Sequence, residues 1–299
     1  MKESKWGILI CSLCLLLAFS APALGQQKQE KPKLGAALTP AQAKVRAESE
    51  KREQRNQEFV AAVADGDVGA SVKLLAAGAD VNSKNREGMT ALMHAALNGS
   101  PELTQLLLRK GAQINVADVF GITALMQASW AGHVEVVSML LAAGANPDLQ
   151  SIVEIPRVRK AGVTALIGAS MNGNLEVAKV LLDRGARVNQ QDAAGQSALM
   201  HASQGNYTEV TALLLSRGAK TEIKDQFGRT ALMIATIYDN FDVVCILVSA
   251  GANVHTRDIH NKKPIVYASA LDYGDIYKLL EAAMARKPSS NSAVFRRAP

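Results

Sequence analysis

Histidine and cysteine most often carry acid–base, nucleophilic or metal chemistry near neutral pH. This chain of 299 residues has five of the first and three of the second. His94 and His201 stand at one and the same place in two copies of a short phrase, Met-His-Ala, so repetition accounts for them without chemistry. His133 follows Gly132, and His255 and His260 fall in polar connectors. No HExxH helix, GxSxG elbow or phosphate-cradling glycine loop is present. The CxxC pair Cys11–Cys14 lies in an apolar N-terminal run, which leaves Cys245, in VVCILV, as a small buried hydrophobe on a helix. Asp80, Glu135 and Glu176 are expected to serve as caps and helix-dipole partners. No catalytic residue, metal ligand or cofactor is expected, and the chain is read as a non-enzyme.

The elements around these residues repeat. GMTALMHA at 88–95 returns as GITALMQA at 121–128, GVTALIGA at 162–169, GQSALMHA at 195–202 and GRTALMIA at 228–235. The glycines step by 33 residues except from Gly121 to Gly162, a step of 41. A second phrase keeps pace: GADVN at 78–82, GAQIN at 111–115, GANPD at 144–148, GARVN at 185–189, GAKTE at 218–222 and GANVH at 251–255. An apolar run such as VVSMLLAAG precedes each. Each period therefore predicts a short helix, a break, a second helix, a glycine stop and a polar connector. Such units cannot bury their apolar faces alone and must stack. Thr90, Thr123, Thr164, Ser197 and Thr230 are N-cap types for the first helix. The leucine-rich second helices read as apolar nearly all round, as if buried between two neighbours.

These two phrases resemble the ankyrin repeat, with its Thr-Pro-Leu-His-x-Ala motif and Gly-Ala-Asp-x-Asn ending. The resemblance runs over about residues 55–287. It implies an all-α solenoid of about seven helix-turn-helix units joined by β-hairpin-like connectors. The units are 55–87, 88–120, 121–161, 162–194, 195–227, 228–260 and 261–287, with atypical ends. The chain departs from the motif in two ways. In the five regular units Ala replaces Pro, and the motif's His, which ties neighbouring units, is Met93, Met126, Ile167, Met200 or Met233. Apolar packing is expected to replace that tie.

Residues 1–25 read as a secretory signal, with Lys2 and Lys5, an apolar core from Gly7 to Phe19, and small residues up to Gly25. That core is shorter than the roughly 20 residues a membrane span needs, so membrane attachment is expected only if the signal stays uncleaved. Residues 26–54 read as a polar linker leading into a charged helix that starts at Thr39-Pro40, and residues 288–299 as a disordered tail. The net charge of +6 comes without aromatic-interleaved basic stripes, so neither nucleic acid nor a small-molecule substrate is an expected partner.

The resemblance places partner binding on a concave face, made of first-helix ends and connector tips. Carried over, those positions give Phe120, Trp130, Met171, Asn172, Gln204, Phe227, Ile237 and Tyr238. The long period between Gly121 and Gly162 predicts an extended finger at 147–161 carrying Arg157 and Arg159. Aromatics make up only 4% of the chain, yet several fall on this set, and large rigid side chains anchor interfaces. The expected function is an exported, periplasmic adaptor for a protein partner. A secreted effector or immunity protein that inhibits a foreign protein is the alternative.

Overall fold

The computed structural model describes residues 39–152 and 161–285, and the expected signal, the linker before Thr39 and the tail lie outside them. The chain divides into two compact units, residues 1–47 and 48–299. The first contributes Thr39 and the opening turns of α1 (Pro40–Ala64), exposed at every position. Thr39 Oγ1 accepts the Gln42 N–H at 3.4 Å, which caps the helix where Pro40 starts it.

The second unit is built of helix pairs. First helices are α3 (Ala91–Leu97), α5 (Ala124–Ala131), α7 (Ala165–Met171), α9 (Ala198–Gln204), α11 (Ala231–Ile237) and α13 (Pro264–Ala270). Second helices are α2 (Val68–Ala76), α4 (Pro101–Arg109), α6 (Val134–Ala142), α8 (Leu175–Asp183), α10 (Thr208–Ser216), α12 (Phe241–Ser249) and α14 (Gly274–Ala285). Each first helix packs on its own partner and on the first helices of the neighbouring pairs, and second helices stack likewise. The last turns of α1 stand in for the missing first helix of the first pair. Phe59, Val60 and Val63 are buried there, and Asn98 Nδ2 donates to the Ala64 carbonyl at 2.7 Å. Asn172 Nδ2 donates to the Trp130 carbonyl in the same way at 2.8 Å.

Burial overturns one sequence expectation. The short first helices inside the stack are the ones buried nearly all round: Ala91, Leu92, Met93, Ala95 and Ala96 are all sealed, whereas the terminal α13 leaves Val266, Ser269 and Ala270 exposed. The second helices seal one face only, as with Val136, Val137 and Leu140 of α6, while Val134 and Ala142 are exposed. Sandwiched between neighbours on both sides and its own partner, a seven-residue helix has no free face. Its alanines permit that closeness, and the Leu at its second position (Leu92, Leu125, Leu166, Leu199, Leu232) fills the seam. Truncating one of these to Ala costs about 2–5 kcal/mol.

The N-caps behave unevenly. Thr90, Thr123 and Thr164 accept the N–H of Met93, Met126 and Ile167 at 3.4, 3.3 and 3.2 Å. The Ser197 and Thr230 hydroxyls are buried without a hydrogen-bond partner, although their backbone is equally extended, and nothing in the structure explains the difference.

The Met and Ile in place of the motif's His are buried, so apolar packing does fill that place. Polar ties between units persist elsewhere, at the residue before three of the second helices, α6, α8 and α12. His133 Nε2 lies 3.0 Å from the Leu97 carbonyl oxygen. Asn174 Nδ2 donates to the Ser129 and Trp130 carbonyls, both at 3.0 Å, and Asn240 Nδ2 to those of Ser203 and Gln204 at 2.7 and 3.1 Å. These side chains satisfy the carbonyls that end the previous first helix.

Candidate partner-binding surface

Every connector is organised by one short polar side chain. Asp118 Oδ1 accepts the Phe120 and Ile122 N–H at 2.9 and 2.8 Å. Asp225 Oδ1 accepts those of Phe227 and Arg229, both at 2.9 Å, and Asp258 Oδ1 those of His260 and Lys262 at 2.9 and 2.8 Å. Asn85 and Asp192 bond the N–H groups two and four residues on in the same way. These acids hold turns, as Asp80 does by accepting the Asn82 N–H at 2.9 Å, whereas Glu135 and Glu176 lie in the first turns of α6 and α8, as expected of dipole partners. Ser151 occupies the position in the long period, accepting the Val163 N–H on its hydroxyl at 3.0 Å.

The tips then pair with one another. Val119 N–H donates to the Glu87 carbonyl at 3.2 Å, Ile152 to Phe120 at 3.0 Å, Ala193 to Ala161 at 2.8 Å, Gln226 to Ala194 at 2.9 Å and Ile259 to Phe227 at 3.1 Å. This approach explains the glycine that opens each phrase. A Cβ on Gly121 would sit 2.6 Å from the Ile152 nitrogen, at a φ of +77°, and one on Gly228 would sit 2.9 Å from the Ile259 nitrogen. Because Ser151, Ile152 and Gly162 keep the register, the eight extra residues of the long period are accounted for by 153–160 in the sequence. Arg157 and Arg159 lie there, outside the described residues.

The second carboxylate oxygen faces the adjoining first helix or the returning arm of the connector, and its partner varies. Asp192 Oδ2 meets buried His201 Nε2 at 2.9 Å. Asp225 Oδ2 takes both Arg229 Nε at 2.9 Å and Nη2 at 2.7 Å. Tyr267 donates its hydroxyl to Asp258 Oδ2. Burial and that neighbouring carboxylate push the Tyr267 phenol up to about 12. Burial would raise Asp258 itself, but the Tyr267 hydroxyl and the Lys262 and His260 N–H groups hold it below the usual carboxylate range. His94, equivalent to His201, sits 3.4 Å from Asn85 Nδ2, and burial lowers its pKa against the pull of Glu87. The Met-His-Ala histidines are thus structural partners of the connectors.

The sequence-derived residues divide by exposure. Phe227 and Tyr238 are open, at 44% and 51%. Phe120, Trp130, Met171, Gln204 and Ile237 are half-buried. Trp130 lies along Gly168 of α7, where a Cβ would be 3.5 Å from its ring, so packing between units fixes the indole. Asn172 is exposed with its amide on the Trp130 carbonyl, and Gln204 Nε2 donates to the Tyr238 hydroxyl at 2.9 Å. The structure thereby joins Trp130 to Asn172 and Gln204 to Tyr238. Sequence reasoning missed Ile152 and Ile259, exposed at 71% and 61%, and Leu271 at 44%. Their signal was register: Val119, Ile152 and Ile259 each follow the connector's Asp or Ser by one residue.

Among the described residues no three His, Cys, Asp or Glu side chains could hold a metal ion, and no helix is long and apolar enough to cross a membrane. Cys245 is half-buried rather than sealed, and burial together with Asp242 pushes its thiol up, away from the reactive thiolate.

A family model described as "Ankyrin repeats (3 copies)" matches residues 59–151, 152–225 and 212–287. In fold the chain is similar to the ankyrin repeat domain of human ASB11, a crystal structure with 24% identity and a TM-score of 0.67, covering 77% of this chain and 98% of that one. A search of curated proteins gives no match in sequence.

Proposed function

The chain belongs to the ankyrin-repeat family, and on that premise we propose that it is a non-enzymatic adaptor exported to a bacterial envelope, where it holds a partner protein against its connector tips and first-helix ends. Ankyrin repeats mediate protein–protein interaction. The observation that carries the reading is the exposure of Phe227 and Tyr238 on a frame whose internal first helices, α3 to α11, are otherwise largely sealed. Aromatic side chains of this kind bury much area with few rotors and supply most of the binding energy where they meet a partner pocket. Residues 1–25 support export, through their basic start, apolar core and small-residue end.

The test is capture from an envelope fraction with wild-type, Tyr238→Ala and Trp130→Ala protein. Tyr238→Ala is expected to weaken capture of one defined partner at least tenfold, the effect of losing about 1.4 kcal/mol or more. Its melting temperature should be unchanged, because half of the ring is already in water. Trp130→Ala should weaken the same partner with a small fall in melting temperature, since the indole also packs on Gly168. Unchanged capture by both variants would rule out this surface.

A further inference from the structure

The same register position changes character along the solenoid. Four residues after the connector's organising Asp or Asn stand Met89, Ile122 and Gln196, and Val163 holds the matching place after the long tip. Ile122, Val163 and Gln196 are buried. In the last two connectors that position is Arg229 and then Lys262. One residue before the organising side chain the series runs Lys84, Ala117, Gln150, Gln191, and ends in Lys224 and Arg257. The two acids in these last connectors, Asp225 and Asp258, are buried and already engaged by Arg229 and by Tyr267. Within 224–229 and 257–262 the cations outside have no exposed acid, and the adjoining Glu222 carboxylate is engaged by the Asn253 N–H at 2.9 Å and the Thr256 hydroxyl at 2.8 Å.

They are also placed together. Lys224 Nζ donates to the Arg257 carbonyl at 3.0 Å, Arg257 Nη1 to that of Asn261 at 2.9 Å, and Lys262 Nζ lies 5.6 Å from the Tyr267 ring centre. In the same two connectors Phe227 and Ile259, paired through the Ile259 N–H and the Phe227 carbonyl, expose their apolar side chains. The Arg229 guanidinium covers the Phe227 ring at 4.7 Å from its centre.

We infer that the connectors at 224–229 and 257–262 form a docking surface for an acidic segment of a protein partner that sets an apolar side chain on Phe227 and Ile259. The inference rests on the proposed binding function and adds the chemistry of what is bound. Charge complementarity selects the occupant, because exposed cations around an uncharged apolar centre steer an acidic chain and orient it. Nucleic acid is disfavoured at this apolar centre: Arg229 already stacks on the Phe227 ring, and Ile259 offers no face for a base.

The test uses the purified protein and a short fluorescein-labelled peptide alternating Glu and Leu, with a Gln-and-Leu peptide and a single-stranded oligothymidylate as comparisons. The expected result is salt-sensitive binding of the acidic peptide and none of its Gln counterpart. The variant Lys224→Gln/Arg257→Gln/Lys262→Gln should bind about tenfold less tightly, and Phe227→Ala several-fold less. A control with the same charge change on α2, at the end of α4 and on α8, Lys73→Gln/Lys110→Gln/Lys179→Gln, should bind like wild type. Equal losses in both triple variants reduce the effect to net charge and overturn the inference. So does oligothymidylate binding as tight as the peptide's. If the peptide does not bind while envelope capture still depends on Tyr238, this inference falls and the proposed function stands. If both fail, both fall.

Discussion

Two connectors of this solenoid fold alike and present different surfaces. At 118–122 and at 225–229 an Asp Oδ1 accepts the same two N–H groups at nearly the same distances, a Phe sits at the tip, and a Gly brings the backbone against the next tip. In the first the turn closes on Ile122, which is sealed, and Phe120 is half-buried. In the second it closes on Arg229, held by Asp225 Oδ2, and Phe227 stands open beneath the guanidinium. One oxygen of the carboxylate therefore maintains the frame while the other admits variation. A solenoid needs this separation, since stacking demands identical turns and recognition demands different surfaces.

Removing the whole organising group should break the comparison most severely. Asp225→Ala strips two backbone N–H groups and an ion pair from one buried carboxylate, and is expected to destabilise the last units by about 3 kcal/mol, given roughly 1–3 kcal/mol for each buried group left unmade. Asp225→Asn keeps Oδ1 and should cost about 1 kcal/mol, mostly for the unpaired Arg229. Urea unfolding of the two variants checks this. Equal destabilisation would mean that the turn does not depend on Oδ1.

The next comparison uses a connector the chain already contains. Asn85 organises its turn with an amide, and the residue four on is Met89. The double variant Asp225→Asn/Arg229→Met copies that pair into the later connector. It is expected to lie within about 0.5 kcal/mol of wild type, so the two positions should show a coupling energy of about 1 kcal/mol in a double-mutant cycle. Additive losses would deny that the second oxygen and its partner vary as a unit.

Deleting residues 153–160 has a smaller expected effect. It brings Ile152 next to Ala161 and restores Ser151-Ile152-Ala161-Gly162-Val163, the pattern of Asp118-Val119-Phe120-Gly121-Ile122. The unfolding midpoint should stay within what about 1 kcal/mol produces, because surface insertions add little closure entropy. Loss of partner capture in a folded deletion variant would assign the finger to binding; a large loss of stability would show that its residues pack on the frame.

Much of this frame was legible in the sequence. The spacing of 33 located each helix, and the glycine phrases located each break. What escaped was what depends on a neighbour in the stack. The second helices read as buried because Val and Leu crowd them, but the partner that seals a helix all round is another unit, which shelters the alanine-rich first helices instead. Asp192, Asp225 and Asp258 recur at 33 residues and could have been singled out as turn organisers. Their second contacts reach first-helix side chains nine residues away (His201, Tyr267) or the returning arm of the connector (Arg229), and vary too much to form a motif. For the binding residues, burial between units separated open Phe227 from half-buried Phe120, a distinction one-dimensional register does not hold.

The smallest effect tests the histidine version of the connector contact. Burial holds the folded pKa of His94 below its ordinary 6.5. As pH falls through that ordinary value, the unfolded chain takes up a proton that the folded chain resists, so the unfolded state binds more protons and stability falls with acidification. The loss begins near pH 6.5 and continues until the folded group also titrates. His94→Gln installs the side chain that Gln127 places one unit later, in a position the fold already seals. Between pH 7.5 and 5 the variant should therefore lose less of its urea midpoint than wild type does. Parallel decline in the two proteins would mean that the His94 site is open to water and protons in the folded state, and that its contact with Asn85 is a surface one.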